Sequence, residues 1–161
     1  MSAGVKRTAP AGAGHPLPIA ARAALLVCAM LPWCPGNVQA SPAQDYTLYC
    51  MGCHGTQAQG VPGKVPPLAN ALSRFMRTPE GRDYVLRVPG AANSALSDAQ
   101  LAAVLNWLAA TFDTPATDNL VPFTAAEVTQ SRHTPLVAVL AARTAVVKNL
   151  AASGPAPAAY Y

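Results

Sequence analysis

Two thiols and an imidazole crowd into the run Cys50-Met51-Gly52-Cys53-His54, and the rest of the chain has to fold around what they bind. Side chains three and four positions apart share one face of a helix. A helix through this run therefore turns Cys50, Cys53 and His54 to the same side. A thioredoxin-like redox pair needs a βαβ setting, and no alternating apolar run long enough for a sheet is present. A structural zinc site closes with four ligands, but only these three cluster, and His133 is the sole other histidine after residue 40.

Covalent haem attachment is the reading that C-x-x-C-H spacing favours. Each thiol adds to a haem vinyl group, and the imidazole sits beneath the iron as proximal ligand. Such a bond keeps the cofactor on a chain that leaves the cytoplasm. The first forty residues look like an address for export: Lys6, Arg7 and Arg22 precede an apolar run from Ala23 to Leu31, and Val38-Gln39-Ala40 is a small-residue cleavage pattern. Residues 1–40 are expected to be a signal peptide cut after Ala40, which sends the protein to the periplasm. The apolar run falls short of the roughly 20 residues that span a bilayer, so membrane association is expected only if the segment is retained.

Cleavage alters two compositional arguments. Three of the 11 basic residues precede Ser41, which leaves eight against the seven acids, so the high isoelectric point says little about partners. No basic cluster with interleaved aromatics remains, and nucleic-acid binding has no footing. Cys28 and Cys34 leave with the peptide, and Cys50 and Cys53 alone make no disulfide framework.

From Ser41 the chain reads as short helices cut by glycine and proline, an all-α pattern. Ser41, Pro42 and Gln44 make a helix start whose run to about Met51 delivers the cysteines. Gly60, Pro62, Gly63, Pro66 and Pro67 predict an extended loop over 55–67. A short helix is expected from Asn70 to Arg77, and another from Thr78-Pro79 to Pro89-Gly90. Ser97 and Gln100 form a capping box ahead of Leu101, Val104, Leu105 and Leu108, whose spacing makes an apolar stripe. Residues 41–113 are read as the first folded unit and 114–123 as a linker. A C-terminal helical extension over 124–152 follows, with a capping box at Thr124 and Glu127 and a helix opening at Thr134-Pro135. Residues 153–161 are expected to be a disordered tail.

Tyr46 to Gly55 (YTLYCMGCHG), Pro66-Pro67-Leu68 and Leu96 to Leu108 (LSDAQLAAVLNWL) together resemble the class I cytochromes c, over a span from Ser41 to about Phe112. The resemblance implies a small cytochrome c-like haem domain with one covalent haem c. It implies that the first and last helices cross beside the haem near Tyr46 and Trp107, and that a carbonyl near Pro66 accepts from the proximal imidazole, which would orient His54. The family usually takes its sixth ligand from a methionine in a loop before the last helix, where this chain has Gly90-Ala91-Ala92-Asn93-Ser94-Ala95. After residue 40 the methionines are Met51, inside the motif, and Met76, whose spacing to Leu72 and Phe75 also fits a core position. Met76, His133, a weaker ligand from the Asn93 loop, or an open position are the alternatives for the sixth site.

Arg74, Arg77, Arg82 and Arg87 fall near segments that should approach the haem, where an arginine pairs readily with a propionate. No catalytic set stands out apart from the iron: Glu80, Asp83 and Asp98 sit at helix starts, where the dipole already accounts for acids. The expectation is an electron carrier that serves donor and acceptor redox proteins, either alone or as the cytochrome subunit of a larger redox enzyme. A haem enzyme or gas sensor with an open sixth position is the alternative.

Overall fold

The computed structural model describes residues 39–113, 120–152, 154 and 157. All but the last two residues of the expected signal segment, most of the expected linker and most of the expected tail lie outside the described residues. Among the described residues the regular structure is helical: α1 Pro42–Tyr49, α2 Met51–His54, α3 Leu72–Phe75, α4 Pro79–Arg87, α5 Pro89–Ala92, α6 Asp98–Phe112, α7 Ala125–Ser131 and α8 Val139–Ala151. A single bridge between Val61 and Val65 is the only β-type pairing described.

Local chemistry explains most boundaries. Ser41 Oγ accepts from the Gln44 N–H while the Gln44 side chain accepts from the Ser41 N–H, and Ser97 and Gln100 repeat the arrangement at α6. Both reciprocal pairs satisfy amide groups that a helix start otherwise leaves bare. Thr78 Oγ1 caps α4, with Pro79 preset for the first turn. The expected stop at Pro89-Gly90 proves to be a second start, because proline at a first helical position lacks only an N–H that would be unpaired there.

α1 crosses α6, and Leu101, Val104, Leu105 and Leu108 of α6 are buried in one core with Tyr46, Leu72, Phe75, Tyr84 and Leu86. The helix expected from Asn70 to Arg77 is confined to Leu72–Phe75. Asp113 closes it from the far end of α6, accepting from the Ser73 N–H.

The extension is fastened to this core by long-range polar contacts. Asn106 of α6 exchanges two hydrogen bonds with the backbone of Phe123. Arg82 of α4 forks onto the Glu127 carboxylate at 2.6 Å, donates to the Val121 and Pro122 carbonyls, and lies 4.3 Å over the Phe123 ring. Arg132, only 7% exposed, donates to the carbonyls of Ala92, Ser94 and Leu96 and pairs with Asp98 at 2.8 Å. The last helix starts at Val139 rather than near Pro135, because the Leu136 N–H donates to the Arg87 carbonyl and draws that stretch onto α4.

The Thr129 hydroxyl, followed by the Arg132 guanidinium, holds the Asp98 carboxyl below the ordinary aspartate range. Its contribution to stability is complete above that range and is lost as pH falls through the lowered value. Removing Arg132 strands several buried carbonyls at once. Arg132→Leu is expected to lower the unfolding free energy by about 1–3 kcal/mol in denaturant titration. A loss under about 1 kcal/mol would show that the clamp is ornamental.

Candidate functional site

The end of α1 presents the motif. The chain bends at Cys50, yet the Cys50 N–H still donates to the Tyr46 carbonyl and the His54 N–H to the Cys50 carbonyl. Helical succession is thus kept through the bend. Cys50, Cys53 and His54 all line one cavity of about 340 Å³, within the range of small-molecule sites. Leu72, Phe75, Val85, Leu101 and Leu105 give it an apolar wall.

His54 is held by its own loop. Its Nδ1–H donates to the Pro66 carbonyl at 3.1 Å, which leaves the Nε2 lone pair for a metal. Burial pushes the His54 pKa down against the opposing pull of the Pro66 carbonyl, so the imidazole is neutral and ligand-competent at neutral pH. Burial, reinforced by Asp45 and Cys53, pushes the Cys50 thiol up, so the thiol is protonated there.

The loop reaches Pro66 by folding tightly on itself. The Gly60 N–H donates to the His54 carbonyl at 2.8 Å, Val61 pairs with Val65, and the Leu68 and Ala69 N–H groups both donate to the Ala58 carbonyl. Gly60 has φ +68, and a Cβ there would run into the Val65 carbonyl oxygen. Tyr46 braces the motif from behind: its hydroxyl donates to the Gly55 carbonyl and its ring lies 5.6 Å from Trp107 and 6.3 Å from Phe112. Burial raises the Tyr46 pKa and keeps the phenol a donor.

Other sequence candidates are placed elsewhere. Met76 is 4% exposed in the hydrophobic core, does not line the cavity, and its carbonyl accepts from Arg82. His133 is exposed in the turn after α7. Arg82 and Arg87, considered for propionate pairing, instead hold the extension, Arg87 through the Thr134 carbonyl and Asp83. The segment before α6 contributes Gly90, Ala91 and Ser94 to the lining.

Val139 and Arg143 of α8 also line the cavity, which sequence reasoning missed. A signal was present, because Arg143 interrupts the apolar stripe of Val139, Val147 and Leu150 at four-residue steps from the two valines.

The cytochrome c family profile matches residues 43–112. Two cytochrome c-552 proteins of Thermus thermophilus are each 34% identical over 113 aligned residues, covering 58% of this chain and 86% and 76% of their own lengths. The matched segment holds the motif, its loop and α6.

Gly60→Ala is expected to lower stability by about 1–3 kcal/mol, since it adds left-handed strain to a clash with backbone. It should also loosen the His54–Pro66 contact, which histidine ¹⁵N chemical shifts report. A variant as stable as the parent would show that the loop has room the structure denies it.

Proposed function

Because the chain belongs to the cytochrome c family, we propose that it is a periplasmic electron carrier whose covalent haem c is held by Cys50 and Cys53 and ligated by His54. The observation that carries this reading is the meeting of both thiols and a neutral, oriented imidazole at one apolar cavity. When bound, haem iron takes up and releases a single electron. The two cysteines prevent its loss, and the Pro66 carbonyl fixes the imidazole plane. The leucine stripe of α6 keeps water from the buried wall, so charge in the cavity is felt strongly.

Five of the chain's seven acids have other duties. Asp45 accepts from Gln100, Asp83 pairs with Arg87, Asp98 with Arg132, Asp113 with the Ser73 N–H, and Glu127 with Arg82. No acid is among the described residues lining the cavity. Cys53 is exposed, and Leu48 and Tyr49 beside it are exposed apolar side chains. In this reading, donor and acceptor redox proteins dock over that edge, whether the chain acts alone or as the cytochrome subunit of a larger enzyme. Export relies on the address in residues 1–40. No helix among the described residues is long and apolar enough to cross a membrane.

One observation favours a second reading. Met76 is packed in the core, and no methionine is among the described residues lining the cavity. For Met76 to be the sixth ligand, α3 would have to turn its thioether out of the core. An open sixth position would instead admit a small ligand, as in a haem enzyme or gas sensor.

Protein matured with haem in a periplasm is expected to show reversible one-electron reduction, and Cys53→Ala is expected to lose most of its covalently retained haem. Full retention in Cys53→Ala would contradict the attachment. Carbon monoxide added to the reduced protein separates the two readings: rapid formation of a carbonyl adduct establishes the open position, and its absence establishes a filled one. Met76→Ala should leave the ferric spectrum unchanged if Met76 serves the core alone.

A further inference from the structure

The most unusual side chain in the cavity comes from beyond residues 43–112, the segment that the family profile matches. Arg143 is 3% exposed, lies on α8 and lines the cavity with His54. Its guanidinium carbon is 5.3 Å from the centre of the Phe75 ring, which lines the same cavity. Burying a guanidinium is unfavourable unless the site offers it opposite charge or a π face. Phe75 provides the face. The described lining of the cavity carries two cations, Arg143 and the exposed Lys64, and no carboxylate, so the space they border favours an anion. The ligand proposed for this cavity brings its own anions, because haem carries propionate side chains.

We propose that Arg143 is a positioning residue that takes a haem propionate as its counter-ion, so that the C-terminal extension completes the cofactor site. The inference rests on the haem reading above. A planar guanidinium engages a carboxylate with two parallel hydrogen bonds and stays charged at any relevant pH. The fastening of the extension gains a purpose. Arg82, Arg87 and Arg132 hold the chain on either side of α7 against the core, and α8 follows from that anchored segment with Val139 and Arg143 on its cavity side.

The test uses the full chain carrying covalent haem and reads the midpoint potential as a function of pH. The titratable groups of the wall besides Arg143 are Tyr49, Cys50, Cys53, His54, Lys64 and Tyr84. Thioether formation and iron ligation remove the cysteines and the histidine from the titration, and the described lining holds no carboxylate of the protein's own. An inflection in the acid-to-neutral range therefore reports propionate ionisation. Arg143→Gln is expected to move that inflection upward by about one to three pH units, because a neighbouring cation had favoured the carboxylate. Arg143→Lys, which keeps the charge, should leave it closer to the parent value.

A haem-loaded Arg143→Gln protein with the inflection unmoved overturns the proposal, since a merely structural arginine would disturb stability and not propionate ionisation. If that variant does not accumulate, Arg143→Lys decides: a shifted propionate bending band in resonance Raman supports the pairing, and an unshifted band overturns it. A parent protein without covalent haem overturns the haem reading itself, and this inference with it.

Discussion

Everything at the site depends on the crossing of α1 and α6, where the Tyr46 ring meets Trp107 and Phe112. The contact joins the helix that ends in the motif to the helix that walls the cavity, so both thiols and the imidazole are placed before the connecting loops are considered. The Tyr46 hydroxyl extends the same contact to the Gly55 carbonyl, just beyond His54. From there the loop folds back through Gly60 to bring the Pro66 carbonyl beneath the imidazole. Aromatic packing thus determines where His54 stands, and a single backbone oxygen determines which way it faces.

Arginine holds the second half of the structure together. A small domain with alanine-rich helices buries little apolar area per residue, and here guanidinium groups reach across the gaps. Arg82 gathers the carbonyls that lead into α7, Arg132 gathers those that lead into α6, and each also pairs with a carboxylate. Because Arg132 satisfies carbonyls beside the cavity segment Gly90–Ser94, the extension and the site share one set of interactions. Residues 120–151 are therefore part of the site's architecture, and Arg143 is their most direct contribution to it.

Short-range chemistry is legible in the sequence. The caps at Ser41, Thr78 and Ser97, the apolar stripe of α6 and the common side of Cys50, Cys53 and His54 are fixed by residues within four positions of one another. The resemblance to cytochromes c adds the crossing at Tyr46 and Trp107 and the Pro66 acceptor. Long-range polar contacts are not legible: Arg82 finds Glu127 45 positions away and Arg132 finds the Leu96 carbonyl 36 away, and neither leaves a local pattern. The short helix at Pro89 hides behind a residue that both ends one helix and opens another. Arg143 is visible as a charge in an apolar stripe, but only the placement of α8 shows what that stripe faces.

Mass spectrometry of the peptide containing Cys50 to His54, from protein matured in a periplasm and digested without reduction, bears on the attachment itself. One haem mass on that peptide, with no free thiol at Cys50 or Cys53, is expected. An unmodified peptide, or two cysteines joined only to each other, would contradict a covalent haem and return the motif to thiol or metal chemistry.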